Sequence, residues 1–269
     1  MRRGIGAITA VLFLLPLYWA LVASLRQPGL PPPLSVEWWP QAAHWQNYQT
    51  IFEIVPMSRY LRNSLLVTAV SVPLTLLTAS FAGFSLSQMP YRWQRQLLAL
   101  SIGLMMVPGA AVWLFRFQIL RGLGLINSLW ALIAPAFAAS SPLFVLLFYW
   151  AFRRIPTELF EAARLDGATA WHNWSRLALP LVRPVTTAVF FLTFLLYWSD
   201  FVGPVLYMFD PQGYTLPVGL QLLKQLDATN WPLLMAGAIV MTLPILLLFA
   251  WLQRYFLHDL SLATLFDRN

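Results

Sequence analysis

The stretch WPLLMAGAIVMTLPILLLFAWL, residues 231–252, runs for 22 residues without a charge. A helix needs about 20 mainly apolar residues to cross a hydrocarbon core about 30 Å thick, so this stretch reads as a membrane span. Its internal Pro244 is compatible with that reading, because neighbouring helices and hydroxyls satisfy the carbonyls a proline frees. Further runs of the same kind occupy 4–24, 61–86, 97–115, 128–152 and 184–208, with Pro73, Pro108 and Pro142 inside them. The pattern predicts an all-α membrane protein of six transmembrane helices, folded as a single domain over residues 1–269.

Composition points the same way. Of the 269 residues, 59% are hydrophobic and 10% charged, with a mean hydropathy of +0.66. Soluble domains carry about 25% charged residues, so lipid must be the solvent for much of the chain. The net charge of +7 does not indicate nucleic acid as a partner. All the basic residues except Lys224 are arginines, scattered singly or in pairs around the apolar runs, whereas nucleic-acid binders cluster them on one face. The absence of cysteine excludes disulfides and thiolate metal sites.

The first run follows Arg2 and Arg3, as a secretory signal would. Its apolar stretch is longer than a typical signal core and Val22-Ala23-Ser24 is a weak cleavage site, so it reads as a retained helix. Basic residues mark cytoplasmic loops. With the N-terminus inside, eleven basic residues fall inside: Arg2, Arg3, Arg92, Arg95, Arg153, Arg154, Arg164, Arg176, Arg183, Arg254 and Arg268. Six fall outside: Arg26, Arg59, Arg62, Arg116, Arg121 and Lys224. Both termini are therefore expected in the cytoplasm, with Arg116 and Arg121 as loop charges just beyond the third span. The outer segment 27–60 starts with Pro31-Pro32-Pro33, a stiff extended stretch. It continues through Trp38 and Trp39, suited to an interfacial belt, to His44-Trp45-Gln46-Asn47-Tyr48, expected as a short surface helix. A second outer loop is expected over 209–230.

The inner loop 153–183 differs from its surroundings. Ile155-Pro156-Thr157-Glu158 reads as a helix start, with proline in the first turn and an acid near the positive dipole end. The helix runs on through Phe160, Glu161, Ala162, Ala163 and Leu165 until Asp166-Gly167 breaks it, glycine readily taking the φ > 0 that ends helices. Thr169 caps a second short helix through Trp171, Trp174 and Leu177, expected to stop at Leu179-Pro180. Phe160, Leu165, Trp171 and Trp174 are its apolar knobs. Periodicity alone leaves two readings open: a hairpin resting on lipid headgroups, or a docking element for a soluble partner.

The spacing Glu161-Ala162-Ala163, then Gly167, then Leu177, Leu179 and Pro180 resembles the loop that defines permease subunits of ABC importers, with Leu177 where isoleucine is usual. Asn63-Ser64-Leu65, Gly122-Leu123-Gly124-Leu125-Ile126-Asn127, Thr215-Leu216-Pro217-Val218-Gly219-Leu220 and Gln253-Arg254-Tyr255-Phe256 resemble the carbohydrate, maltose-permease-like type I branch. The chain departs from that branch at Trp198-Ser199-Asp200, where Trp-Asn-Asp is usual. It departs again at Phe81-Ala82-Gly83-Phe84-Ser85-Leu86 and in the tail His258-Asp259-Leu260-Ser261-Leu262, which replaces a glycine-rich ending.

The resemblance implies half of a translocation pathway for a sugar or oligosaccharide in a bacterial inner membrane. Its implied partners are a second homologous permease, two ATPase subunits and an extracytoplasmic solute-binding protein, alongside the bilayer. The loop would dock into the ATPase through Glu158, Phe160, Glu161, Ala162, Ala163, Asp166, Gly167, Trp171, Trp174, Leu177 and Pro180. Tyr214, Thr215 and Pro217 in the second outer loop would face the binding protein, by analogy with the family. Asp200, the one acid expected inside a span, lines the solute path with Trp198 and Ser199 or serves as a structural acid, since a mid-bilayer charge costs about 2.5–3.5 kcal/mol.

A phosphate-binding loop needs Gly-x-x-x-x-Gly-Lys before serine or threonine, and the only lysine stands in Leu223-Lys224-Gln225. The chain is therefore not expected to be an enzyme; ATP and magnesium belong to the partner ATPases, and the chain itself is expected to bind no cofactor or metal. His44, His172 and His258 fall in separate loops without ligand-spaced companions. The alternatives are a permease for a non-sugar solute such as glycerol phosphate, a polyamine or a peptide, a membrane-embedded enzyme, or a stand-alone channel.

Overall fold

The computed structural model describes the backbone of residues 2–266 and the side chains of residue 6, residue 9 and residues 11–253. Arg268 and Asn269 lie outside the described residues. So do the side chains of Arg2, Arg3, Arg254 and the tail motif at 258–262. Among the described residues every regular element is helical. The helices are α1 (Arg2–Ser24), α2 (Asn47–Ile54), α3 (Met57–Gln88), α4 (Tyr91–Met105), α5 (Gly109–Gly122), α6 (Leu129–Ile133) and α7 (Pro142–Phe152). They continue as α8 (Thr157–Leu165), α9 (Ala170–His172), α10 (Leu179–Leu181), α11 (Arg183–Trp198), α12 (Val202–Tyr207), α13 (Leu216–Leu226) and α14 (Trp231–Phe266). They group into two compact units, residues 1–63 with 214–247 and residues 64–213 with 248–269.

The apolar runs are less regular than six straight helices. Among the described residues, Met57–Gln88, Leu129–Phe152 and Trp231–Gln253 are long and apolar enough to cross a membrane, and Val11–Ser24 is a shorter apolar helix. The expected third span, 97–115, is instead a bent pair: α4 and α5 meet at 99°. Pro108 is the cause, having no N–H to continue the helix and holding the residue before it out of the helical region. Arg116 and Arg121 consequently sit on α5 rather than in a loop. The expected fifth span, 184–208, ends early. α11 stops at Trp198 and α12 resumes only at Val202. At its other end, α11 meets the helical stretch Ala170–Leu181 at 86°, with Val182 at the corner and Pro184 in the first turn of α11.

In the stretch 129–152, α6 passes into a 3₁₀ segment, Ala134–Ala138, and then into two left-handed residues, Ala139 (φ 60°) and Ser140 (φ 57°). Ser141 restarts the chain as α7, its hydroxyl accepting from Leu143 N at 3.3 Å. The short surface helix expected from His44 begins later, at Asn47. The Asn47 side chain is buried, donating to the carbonyls of Ser24 and Arg26 at 2.8 Å each, and so ties the end of α1 to α2.

In the second unit α3 and α7 pack almost backbone to backbone. A Cβ placed on Gly83 would stand 2.7 Å from Phe148 Cβ and 2.9 Å from both Tyr149 N and Val145 O. Small residues permit such crossings between helices where lipid offers no hydrophobic drive for association. In the first unit, Gly219 of α13 plays the same part against Tyr60 and Met57 of α3.

Candidate functional site

The elbow over 153–183 starts at α8, whose first turn carries Glu158 beside the positive helix end. The helix closes on itself: Ala168 N donates to Ala163 O at 2.9 Å and Gly167 N to Arg164 O at 3.0 Å. That pair of bonds is a Schellman closure, which places its left-handed residue four positions beyond the carbonyl that accepts the bond spanning more residues, here Ala163 O. Gly167 fills that place with φ 83°. The Ala163-to-Gly167 spacing is thus a geometric requirement of the turn. A Cβ at Gly167 would meet nothing within 4 Å, so backbone conformation, not space, demands glycine.

Thr169 then caps the next helix, its hydroxyl accepting from His172 N at 3.3 Å and lying 2.8 Å from His172 Nδ1. The helix does not stop at Leu179-Pro180 as expected. It widens into a π turn over Asn173–Ala178, continues through Pro180 and ends at Leu181. Pro180 falls in the first turn of the renewed α-helix, where a missing N–H costs nothing.

The knobs of the elbow divide into two sets. Phe160 is 3% exposed and Trp174 5%, both turned into the protein's own core with Phe84, Phe144, Phe148, Phe152 and Val182. Phe84 meets Phe152 and Phe160 edge-on at 5.6 and 5.8 Å, and Trp174 meets Phe81 at 5.6 Å. Phe160 and Trp174 are therefore internal anchors and cannot fill a partner's cleft, a correction that follows from burial. Leu165, 89% exposed, and Trp171, 56% exposed, project outward. Glu158, Glu161, Ala162, Asp166, Gly167 and Pro180 are also exposed, while Ala163 and Leu177 are half-buried. The Trp171 ring lies 4.7 Å from that of Trp174, so the exposed aromatic rests on a buried one.

Of the candidates for a solute path, Trp198 is fully buried and stacks on Phe194 at 5.5 Å, so it lines no open surface. Ser199 is exposed. Asp200 occupies the break between α11 and α12, where Oδ1 accepts from Gly203 N in the first turn of α12 at 3.0 Å. Nearby is a polar seam that sequence reasoning missed. Ser140 Oγ lies 2.8 Å from Tyr197 OH and 2.5 Å from Thr75 Oγ1. Ser64, Thr68, Ser71 and Thr75 are all buried on α3. Their alternating separations of four and three residues are the signal that would have found them.

Tyr214, Thr215 and Pro217 also divide. Thr215 and Pro217 are buried and only Tyr214 is half-exposed, its carbonyl accepting from Asn63 Nδ2 at 2.9 Å. Thr215 and Pro217 therefore present no surface to a partner; they begin α13, which packs on Tyr60 and Met57. Phe209, Pro211 and Gln212 are the exposed residues just before them. Asn127 holds that stretch, with φ 63° and its backbone N donating to Tyr207 O at 2.8 Å. Its Oδ1 accepts from Phe209 N at 3.1 Å and Asp210 N at 2.9 Å. Among the described residues, no three histidines, cysteines, aspartates or glutamates lie together as a metal site.

The fold is all-helical among the described residues, with helices long and apolar enough to cross a membrane and an exposed elbow over 153–183. Residues 71–261 match the family of binding-protein-dependent transport system inner membrane components, and the chain belongs to that family. It is 30% identical over 261 residues to the sulfoquinovosyl glycerol transport permease SmoH of Agrobacterium fabrum, covering 97% of this chain and 92% of that one. The arabinooligosaccharide permease AraQ of Bacillus subtilis is 28% identical over 94% of this chain and 91% of its own length. The trehalose/maltose permease MalG of Thermococcus litoralis is 27% identical over 97% and 95%. The fold matches a chain of a bacterial ABC transporter that imports the acidic polysaccharide alginate, with a TM-score of 0.74, 19% identity and 95% coverage of both chains.

Proposed function

We propose that this chain forms half of the pathway by which a sugar or oligosaccharide is imported, and that its elbow couples the pathway to a separate ATPase. The observation that carries the coupling is the split of the elbow into an anchored and a projecting face. Phe160 and Trp174 hold it to α3 and α7 while Leu165 and Trp171 project outward. An element fixed so firmly to two core helices moves as one body with them, and that is what transmission of a rigid-body switch requires.

In this reading ATP and magnesium sit on two ATPase subunits, and Leu165, Trp171 and the Glu161 carboxylate meet one of them. Closure of the ATPase pair pulls the elbow, and α3 and α7 follow. A second permease completes the pathway, both termini are cytoplasmic, and a solute-binding protein docks on the opposite side against residues 209–213. Sugar is favoured over glycerol phosphate, polyamine or peptide because SmoH, AraQ and MalG are each named for a carbohydrate or glycoside. The chain is a transport subunit, not an enzyme. Co-purification of the tagged chain with an ATPase subunit, and identification of the solute retained by the associated binding protein, test the two halves. Loss of the ATPase from Trp171→Ala is expected; a non-carbohydrate in the binding protein would overturn the solute.

A further inference from the structure

The stretch from α6 to α7 is broken by two left-handed residues in succession, Ala139 at φ 60° and Ser140 at φ 57°, directly after the 3₁₀ segment Ala134–Ala138. Left-handed backbone is unfavourable for any residue with a Cβ, and neither position carries the glycine or asparagine that tolerates it. Such strain persists only where the surroundings hold it, and it gathers at switch regions. A 3₁₀ stretch in mid-helix is likewise a common mark of a hinge.

The holding groups are hydroxyls. Ser140 Oγ lies 2.5 Å from Thr75 Oγ1 on α3 and 2.8 Å from Tyr197 OH on α11, so one side chain joins three segments. Three residues along α3, Thr78 Oγ1 donates to Ala136 O in the 3₁₀ segment at 2.8 Å, and Ser140 N donates to Pro135 O at 2.9 Å. Thr75 is fully buried and Ala139 and Tyr197 nearly so.

A second partner for the phenol stands beside this clamp. Ser71, one turn before Thr75 on α3, is fully buried; its hydroxyl makes no hydrogen bond, yet it lies close enough to the Tyr197 phenol to act on it. A phenol that leaves Ser140 for Ser71 exchanges one bond for another and pairs a buried hydroxyl that is otherwise costly to leave alone. The break also divides parts with different attachments. Before it, Leu132 of α6 lies against α12, 3.4 Å from where a Cβ on Gly203 would stand. After it, α7 crosses α3 at Gly83, and Phe152 meets Phe84, whose ring also meets Phe160 of the elbow.

We propose that Ala139–Ser140 is a latched hinge between α6 and α7. Thr75, Ser140 and Tyr197 hold the left-handed form; transfer of the Tyr197 phenol to Ser71 releases it, and the break relaxes toward right-handed backbone while α7 reorients relative to α6. Hydroxyl bonds favour the held form and backbone strain the released one, and opposed terms of this kind make a two-state element. Ser140 is a positioning residue for that switch. The hinge's part in transport rests on the coupling role proposed above; the hinge itself does not.

The chain contains no cysteine, so spin labels can be placed on it without background. Trp130→Cys on α6 and Trp150→Cys on α7, both exposed, report the distance across the break by pulsed electron resonance. The complete transporter, its other subunits free of cysteine, is measured in nanodiscs without nucleotide and with ATP and vanadate. One distance is expected without nucleotide and a second with it. Tyr197→Phe and Ser140→Ala should each raise the released-to-held ratio about threefold to tenfold, the size of one lost hydrogen bond. Ala139→Gly, which makes left-handed backbone free of strain, should lower it about tenfold. Ser71→Ala should lower it too, and Ser87→Ala, a hydroxyl bonded to Phe84 O away from the hinge, should leave it unchanged. A single distance in every variant and condition overturns the hinge, as does a second distance whose population ignores Ala139→Gly and Ser140→Ala. Should Ser140→Ala fail to assemble, Ala139→Gly decides alone. A ratio that follows these substitutions but not nucleotide would keep the hinge and sink the coupling role.

Discussion

The ring of Phe160, in the first arm of the elbow, meets the ring of Phe84, near the end of α3, edge-on at 5.8 Å and 63°. This contact joins an otherwise projecting loop to the longest helix of the second unit's core. Phe160→Ala should open a cavity there and destabilise the protein by about 3 kcal/mol. Trp171→Ala, on the exposed face, should leave the melting temperature unchanged and reduce ATPase retention. Equal melting temperatures for both variants would show that the anchor does not stabilise the elbow.

Gly167 should tolerate asparagine far better than valine. A left-handed residue costs an L-amino acid about 1–2 kcal/mol, least for asparagine and most for a β-branched side chain. Transport by reconstituted Gly167→Val is expected to fall sharply, with Gly167→Asn intermediate. Because no atom lies within 4 Å of a Cβ here, glutamine should do no worse than alanine; a steep dependence on side-chain size would contradict the conformational explanation.

Gly83 presents the opposite case. A methyl group at this site must displace backbone atoms of α7 at 2.9 Å, so even Gly83→Ala should destabilise by about 1–3 kcal/mol. Thermal unfolding in detergent reads this directly. A neutral Gly83→Ala would mean that α3 and α7 can separate freely.

Asn127→Ala removes the acceptor shared by Phe209 N and Asp210 N. Both sites are exposed, so water can replace the oxygen and the stability cost should be about 1 kcal/mol or less. Amide hydrogen exchange at 209 and 210 should nonetheless speed up, while that of α7 stays as it was. Unchanged exchange at these two positions would remove Asn127 from any role in ordering the loop.

The helical class and the elbow were legible in the sequence because each rests on local rules. Apolar runs of bilayer length, glycine four residues after Ala163 and threonine three before His172 are written within single segments. The bends were not legible. Pro73 and Pro244 sit inside continuous helices, whereas Pro108 stands at the start of α5, just beyond the end of α4. The inward turn of Phe160 and Trp174 was equally hidden, since an amphipathic helix shows an apolar face without saying whose surface covers it. Thr215 and Pro217 were assigned to a partner for the same reason, although both are buried at the start of α13. The hydroxyl spacing on α3 could have been read but is easily lost in so apolar a helix.

Asn127 grips the 209–213 segment through the backbone N–H groups of Phe209 and Asp210, so the clamp's own hydrogen bonds do not depend on which side chains those two residues carry. Phe209, Pro211 and Gln212 are the exposed positions on this mount, and the Phe209 ring meets that of Phe117 on α5 at 6.5 Å. A graft at Pro211, with Asp210 kept to accept from Gln212 N at 2.9 Å, would leave the clamp's hydrogen bonds in place, whereas replacing Phe209 would also remove a ring contact to α5.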